Sequence, residues 1–291
     1  MPLAKRIGVM TEFFTDIHQQ TFLQYALFTG ILASIACGII GSYVVTRRIS
    51  YIAGAISHSV LGGMGAARYM QVVHQWDWFH PLLGAVIAAI ISALIIGLVS
   101  IKARQREDTV IGAVWAIGMA IGILFIFKTP GYNEDLMSYL FGNVLMVSSD
   151  DLWLIAGLDI LIVAVGLAFY NQFLAVCFDE EFALLRGIHV EFYHLMLLCL
   201  TALTVVLMVT VVGIVMVIAL LTLPAAAAGH FSRRLWHMMA LATLFTILFT
   251  TGGLALSYGP NLPPGATTIV LAGAVYLLVA FFTRIIRFHR S

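Results

Sequence analysis

The sequence predicts an all-α, polytopic membrane bundle of about nine transmembrane helices, or eight as the alternative, with a short re-entrant helix and a short cytoplasmic helix. Three observations carry that expectation. Of 291 residues, 62% are hydrophobic and only 10% charged. The mean hydropathy is +1.02. The apolar residues fall in runs of roughly 20, the length that crosses a hydrocarbon core of about 30 Å as a helix. A water-facing surface normally takes about a quarter of its residues as charges, so this composition excludes a soluble globule. A net charge of +1 argues against a nucleic-acid binder, which needs a basic face for phosphates. The three cysteines, Cys37, Cys177 and Cys199, have neither metal-site nor disulfide spacing and read as buried apolar fillers.

Taken in order, residues 1–20 carry Glu12, Asp16 and His18 where a cleavable leader would need an uninterrupted apolar stretch. They read as an amphipathic interfacial segment with Phe13, Phe14 and Ile17 on one side. Residues 21–291 read as a single transmembrane domain. Its apolar runs are 22–46, 51–70, 82–101, 110–127, 152–170, 193–228, 238–258 and 266–283. The sixth run, at 36 residues, is too long for one comfortable span and slightly short for two.

Flanking charge resolves it, because Lys and Arg in short loops mark the cytoplasmic side. Placing Arg47, Arg48, Lys102, Arg104, Arg106, Arg186, Arg233, Arg234, Arg284, Arg287 and Arg290 inside accounts for 11 of the 15 basic residues. Arg186 and Arg233 then flank the long run on the same side. The chain must cross an even number of times between them, so the run is two helices turning near Thr210 to Gly213. The same parity leaves the apolar stretch 136–147 no crossing to make, and it reads as re-entrant or interfacial. The expected topology is an outer amino terminus and a cytoplasmic carboxyl terminus.

An ionisable side chain inside a span is costly and marks a candidate site. His58 lies well inside the second span and Asp159 well inside the fifth, while Asp151 and His194 lie near ends. Imidazole is the commonest transition-metal ligand, and it also serves as a buried hydrogen-bonding group tying two helices together. Asp159 has the same two readings. Gly54 and Gly62 bracket His58 at i−4 and i+4, so the imidazole is expected to project from a face cleared of bulk. Other glycines read as close-packing positions between helices.

The segment 171–191 is expected on the cytoplasmic side and to contain a short helix. Asp179, Glu180 and Glu181 suit its amino terminus, Arg186 and Gly187 its end, and Phe182 and Leu185 share one face. Such a helix either lies on the membrane surface or docks a soluble partner, and its acidity disfavours contact with anionic lipid.

These residues carry a resemblance. The run from Arg47, Arg48, Ile49, Ser50 and Tyr51 to Ser57, His58, Ser59, Val60, Leu61 and Gly62 resembles a signature of the permease subunits of bacterial zinc and manganese ABC importers. Further blocks resemble that family in the same order. They are Asp135 to Gly142, Asp179 to Ile188, Val212 to Ala228 with Pro224, and Thr251 to Thr267 with Pro264 and Gly265. Two departures stand out: the family's histidine usually follows an aspartate by four residues, where this chain has Gly54, and Asn143 stands where related zinc permeases can carry Asp.

The resemblance implies a permease subunit in a bacterial inner membrane that moves a divalent transition metal, zinc, manganese or iron, with no permanently bound cofactor. It implies His58 as a pathway residue, and Asp159 from a second helix is then a candidate for the missing carboxylate. It makes Asp179, Glu180, Glu181, Phe182, Leu185, Arg186 and Gly187 the coupling helix for a cytoplasmic ABC ATPase dimer. The other implied partners are a second permease copy or homologue and an extracytoplasmic metal-binding protein. That protein would deliver the ion near His74, His80 and the loop 128–135. The sequence has no GxxxxGK[ST] phosphate loop, so hydrolysis is expected in a separate subunit. The competing readings are a gradient-driven secondary carrier and an intramembrane metalloenzyme, the latter without an HExxH or GxSxG motif to support it.

Overall fold

The computed structural model describes residues 20–102, 107–130, 149–258, 260 and 262–288. Among the described residues there are eleven helices and no strand. In chain order they are α1 (Thr21–Arg47), α2 (Ser50–His74), α3 (Pro81–Lys102), α4 (Glu107–Lys128), α5 (Ser149–Ala168), α6 (Tyr170–Phe178), α7 (Glu180–Leu185), α8 (Val190–Val212), α9 (Ile214–Phe231), α10 (Leu235–Tyr258) and α11 (Pro264–Phe288). The expected interfacial segment 1–20, apart from Gln20, and the expected re-entrant stretch 136–147 lie outside the described residues. So does Asn143.

Seven helices are long and apolar enough to span: α1, α3, α4, α8, α9, α10 and α11. α5 and α6, bent by 68° at their junction, qualify only as a pair and bring the number to eight. The expected nine is not reached on that measure because α2, although 25 residues long, carries Ser50, Ser57, His58, Ser59, Arg68 and Gln71. The helix tolerates them because it packs among α3, α4, α8 and α9, so much of its surface meets protein instead of lipid. The long apolar run is broken at Gly213, whose φ of 86° suits a residue without a Cβ. The segment 171–191, expected to contain one short helix, opens with a second one, because α6 (Tyr170–Phe178) prolongs the chain of α5 after the bend.

Close approach of backbones organises the centre, as expected where lipid supplies no hydrophobic drive for helix association. A Cβ added at Gly62 would stand 2.8 Å from the Gly118 carbonyl oxygen, and one at Gly122 would stand 2.8 Å from the Leu61 backbone. α2 and α4 therefore meet nearly backbone to backbone. The Ser59 hydroxyl crosses this interface to the Val114 carbonyl at 3.2 Å. Aromatic and branched side chains fill the wider gaps, with Tyr43, Phe173, Ile40, Ile52 and Ile56 fully buried in one continuous core. The outer helices turn large apolar groups outward, Phe127 and Leu124 on α4 and Leu277 on α11 among them, as a lipid-solvated bundle requires.

One buried contact revises the reading of Cys37. Pro224 lies inside α9 and has no N–H to give the carbonyl of Leu220, four residues earlier. The Cys37 thiol of α1 donates to that carbonyl at 3.2 Å. The side chain is a hydrogen-bond donor as well as a filler. It satisfies a backbone acceptor that neither lipid nor water would reach.

Candidate functional site

His58 sits on the face of α2 turned to α4. Its ring stacks on Trp115 with centroids 4.6 Å apart and planes 20° apart. Its Nδ1 is buried and, like Nε2 of His194, has no hydrogen-bond partner among the described residues. An orphaned polar atom in such a place is uncommon and calls for an explanation. The face expected to be cleared of bulk is not open. A Cβ at Gly54 would stand 2.9 Å from Cζ3 of Trp115, and Gly62 lies against Gly118. The two glycines admit α4 to α2, because a helix pair this close leaves no room for a Cβ.

Asp159 is placed elsewhere. It is 3% exposed, and its Oδ1 accepts from the Ala36 N–H of α1 at 3.2 Å. Beside it, the Tyr43 hydroxyl donates to the Gly166 carbonyl at 3.0 Å, so α5 is pinned to α1 at two levels. α5 packs on α1 and α8, whereas His58 points to α4. Among the described residues no group of three or more His, Cys, Asp or Glu stands together as a metal set. His74 ends α2 with its ring edge-on to Tyr69, the planes 76° apart. His80 precedes α3, its Nδ1 accepting from the Leu82 N–H at 3.4 Å.

At the opposite end, α7 forms for local reasons. The Asp179 carboxylate accepts from the Phe182 N–H at 2.9 Å, which caps the helix. Glu180 and Glu181 occupy its first turn, where the backbone dipole favours negative charge. Gly187, with φ of 75°, follows its end. Ala183 turns inward against Val176 and Val190. Phe182 and Leu185 turn outward, 47% and 88% exposed, and the Arg186 guanidinium lies 4.8 Å over the Phe182 ring. A groove of about 670 Å³ beside this helix is lined by Phe178, Phe182, Arg186, Arg233, Arg234 and Trp236 among others.

Arg47, which charge pattern identified only as a cytoplasmic marker, ties this end to the bundle. From the end of α1 its guanidinium donates to the Val176 carbonyl of α6, lies 3.3 Å from Nδ1 of His194 on α8, and pairs with Glu180 of α7. One side chain thus joins four helices. Arg47→Ala is expected to loosen α7 without unfolding the bundle. Hydrogen–deuterium exchange should rise by roughly 10- to 100-fold in 178–188, the range set by losing a charge-assisted bond of about 1.5–3 kcal/mol, and stay unchanged in the centre of α8. Unchanged protection of 178–188 would remove Arg47 as the fastening. Arg47 was legible as basic and Trp115 was not singled out, and nothing in the sequence paired either with its partners.

An apolar helical bundle in which Nδ1 of His58 finds no hydrogen-bond partner among the described residues, with an exposed apolar turn at one end, has the plan of a multi-pass membrane transport subunit. The profile of the ABC 3 transport family matches residues 19–283, and the chain belongs to that family. It is 43% identical over 286 residues to an uncharacterized membrane protein of Synechocystis, covering 97% of this chain and 99% of that one. It is 35% identical over 274 residues to the manganese transport system membrane protein MntC of Halalkalibacterium halodurans, covering 94% and 91%. The solved structure of PsaBC from Streptococcus pneumoniae in complex with Fab superposes with a TM-score of 0.82 at 30% identity, over 92% of this chain and 94% of that chain.

Proposed function

We propose that this chain is the permease of an ATP-driven importer that carries a divalent transition metal across a bacterial inner membrane. Manganese is the favoured cargo, ahead of zinc and iron. The observation that carries the reading is the buried, unpartnered Nδ1 of His58 in the central helix. A neutral imidazole nitrogen with nothing bonded to it is a donor atom available to a metal ion. Family membership over 19–283 and similarity to manganese transport membrane proteins support the same reading.

The work is vectorial. A single imidazole replaces part of the hydration shell and releases the ion again, whereas a complete ligand cage would trap it. Energy would enter through α7, whose outward Phe182 and Leu185 offer an apolar anchor to an ATPase subunit. ATPase domains of this kind act as pairs, so the permease is paired as well, with itself or with a homologue. An extracytoplasmic metal-binding protein would load the outer mouth near His74 and His80. Asp159 remains a candidate for a second ligand only if α5 moves, because its carboxylate is turned to Ala36.

The direct test is uptake of radioactive Mn²⁺ by cells lacking this permease but retaining the ATPase and binding protein. Expression of the chain should restore uptake, with Zn²⁺ and Fe²⁺ competing less well. Transport by the purified chain alone in liposomes would replace this reading with a gradient-driven carrier. Orientation supplies a separate prediction: in a protein with Cys37, Cys177 and Cys199 replaced, Lys102→Cys should react with impermeant thiol reagents only from the cytoplasm. Leu262→Cys should react only from outside. Reaction of both from one side would break the proposed topology.

A further inference from the structure

Gly54 and His58 lie one helical turn apart on α2, and α4 presents the same side chain to both. The indole of Trp115 stacks on the imidazole at 4.6 Å and 20°. A Cβ added at Gly54 would stand 2.9 Å from Cζ3 and 3.3 Å from Cη2 of that indole, and 3.3 Å from Cδ1 of Ile218 on α9. The Ile218 methyl can rotate aside. The indole moves only as a rigid plate, and displacing it disturbs the stack. Meanwhile Nδ1 of His58 is buried with no hydrogen-bond partner among the described residues, so no bond to them at that nitrogen sets the plane of the ring. The lone pair by which an imidazole ligates a metal lies in its ring plane, so the plane decides whether a passing ion meets it.

We propose that Trp115 is the positioning residue of the metal passage. Its indole fixes the plane of His58 and closes one face of the imidazole, so that an ion approaches the ring edge-on at its free nitrogen. Gly54 is required because the indole fills the space a side chain there would need. The passage in this chain therefore pairs one nitrogen ligand with an aromatic wall at this level. The inference rests on reading His58 as a metal ligand, and the experiment separates the two.

The measurement is the concentration dependence of radioactive Mn²⁺ uptake in cells carrying the complete transporter. Trp115→Ala is expected to raise the apparent KM roughly two- to tenfold, the range set by the worth of an aromatic pair, with the maximal rate per permease little changed. A merely structural role would lower the amount of protein and the maximal rate and leave KM alone. Trp115→Phe, which keeps a ring able to stack, should bring KM back to within about twofold. Trp115→Leu, which keeps bulk without a ring, should behave as Trp115→Ala does, and it serves if the alanine variant fails to reach the membrane. Gly54→Ala should raise KM when Trp115 is present and add nothing in the Trp115→Ala background. An unchanged KM in both the alanine and leucine variants, or an additive effect of Gly54→Ala in the double variant, would overturn the proposal. If His58→Ala itself leaves uptake intact, the reading of His58 beneath it falls instead.

Discussion

Replacing His58 by alanine is expected to lower Mn²⁺ uptake by more than about 100-fold, while the protein still inserts and still binds its ATPase. The magnitude follows from metal sites, where loss of groups that only orient a ligand already costs 10–100-fold. The protein should survive the change because the imidazole contributes a stack on Trp115 and no hydrogen bond at its buried Nδ1. Removing it leaves no partner stranded. A structural histidine would behave in the opposite way, with reduced yield or thermal stability and normal uptake per molecule. Asp159→Asn is the companion measurement. The amide keeps an oxygen for the Ala36 N–H, so uptake should change by less than about threefold, the effect of one weakened neutral bond. A loss as large as that of His58→Ala would make Asp159 a second ligand and require α5 to bring it to the passage.

Phe182→Asp combined with Leu185→Asp is expected to abolish ATP-dependent uptake and weaken ATPase binding by about 100-fold or more. Both side chains are exposed at the end of the bundle, so in the isolated permease the carboxylates cost little beyond the Arg186 contact on the Phe182 ring. They become costly when a partner covers them, because burying an unpaired charge is far more expensive than burying a polar group at about 2–7 kcal/mol. Affinity capture of the ATPase on the purified variant, with membrane insertion measured in parallel, provides the readout. Retained capture with normal uptake would remove α7 from the docking surface. Because Arg47 holds α7 to α1, α6 and α8 by polar contacts, it is the residue through which a partner docked on α7 would act on the core. The Arg47→Ala exchange experiment therefore separates loss of docking from loss of transmission.

The elements of this protein were largely legible in its sequence, because lipid imposes a single strong rule. A segment that spans must be helical and apolar, and both properties can be read locally. Charge parity located the break that the structure places at Gly213. Cap chemistry located α7 because its causes, Asp179 before it and Gly187 after it, are adjacent in the chain. The count of spans was less legible. α2, expected as the second span from the run 51–70, does not qualify as one on length and hydropathy, and its enclosure among α3, α4, α8 and α9 is a property of the assembled bundle. Likewise, Gly166 in the last turn of α5 did not by itself announce the bend of 68° between α5 and α6, where its carbonyl is held by the Tyr43 hydroxyl of α1.

By itself, the sequence determined that this chain is a helical membrane protein, that His58 is an ionisable group among glycines and apolar residues, and that 179–187 is an exposed acidic-apolar turn. Only the tertiary structure decided what those groups touch. It set Trp115 against His58 and Gly54, 61 positions away from the latter by sequence number, and turned Asp159 to the backbone of Ala36. It also gave Cys37 the carbonyl that Pro224 leaves unpaired. The physical reason is one of range: hydrophobicity and capping act within a few residues, whereas stacking, close glycine packing and buried hydrogen bonds join helices distant in the chain and exist only after those helices have packed.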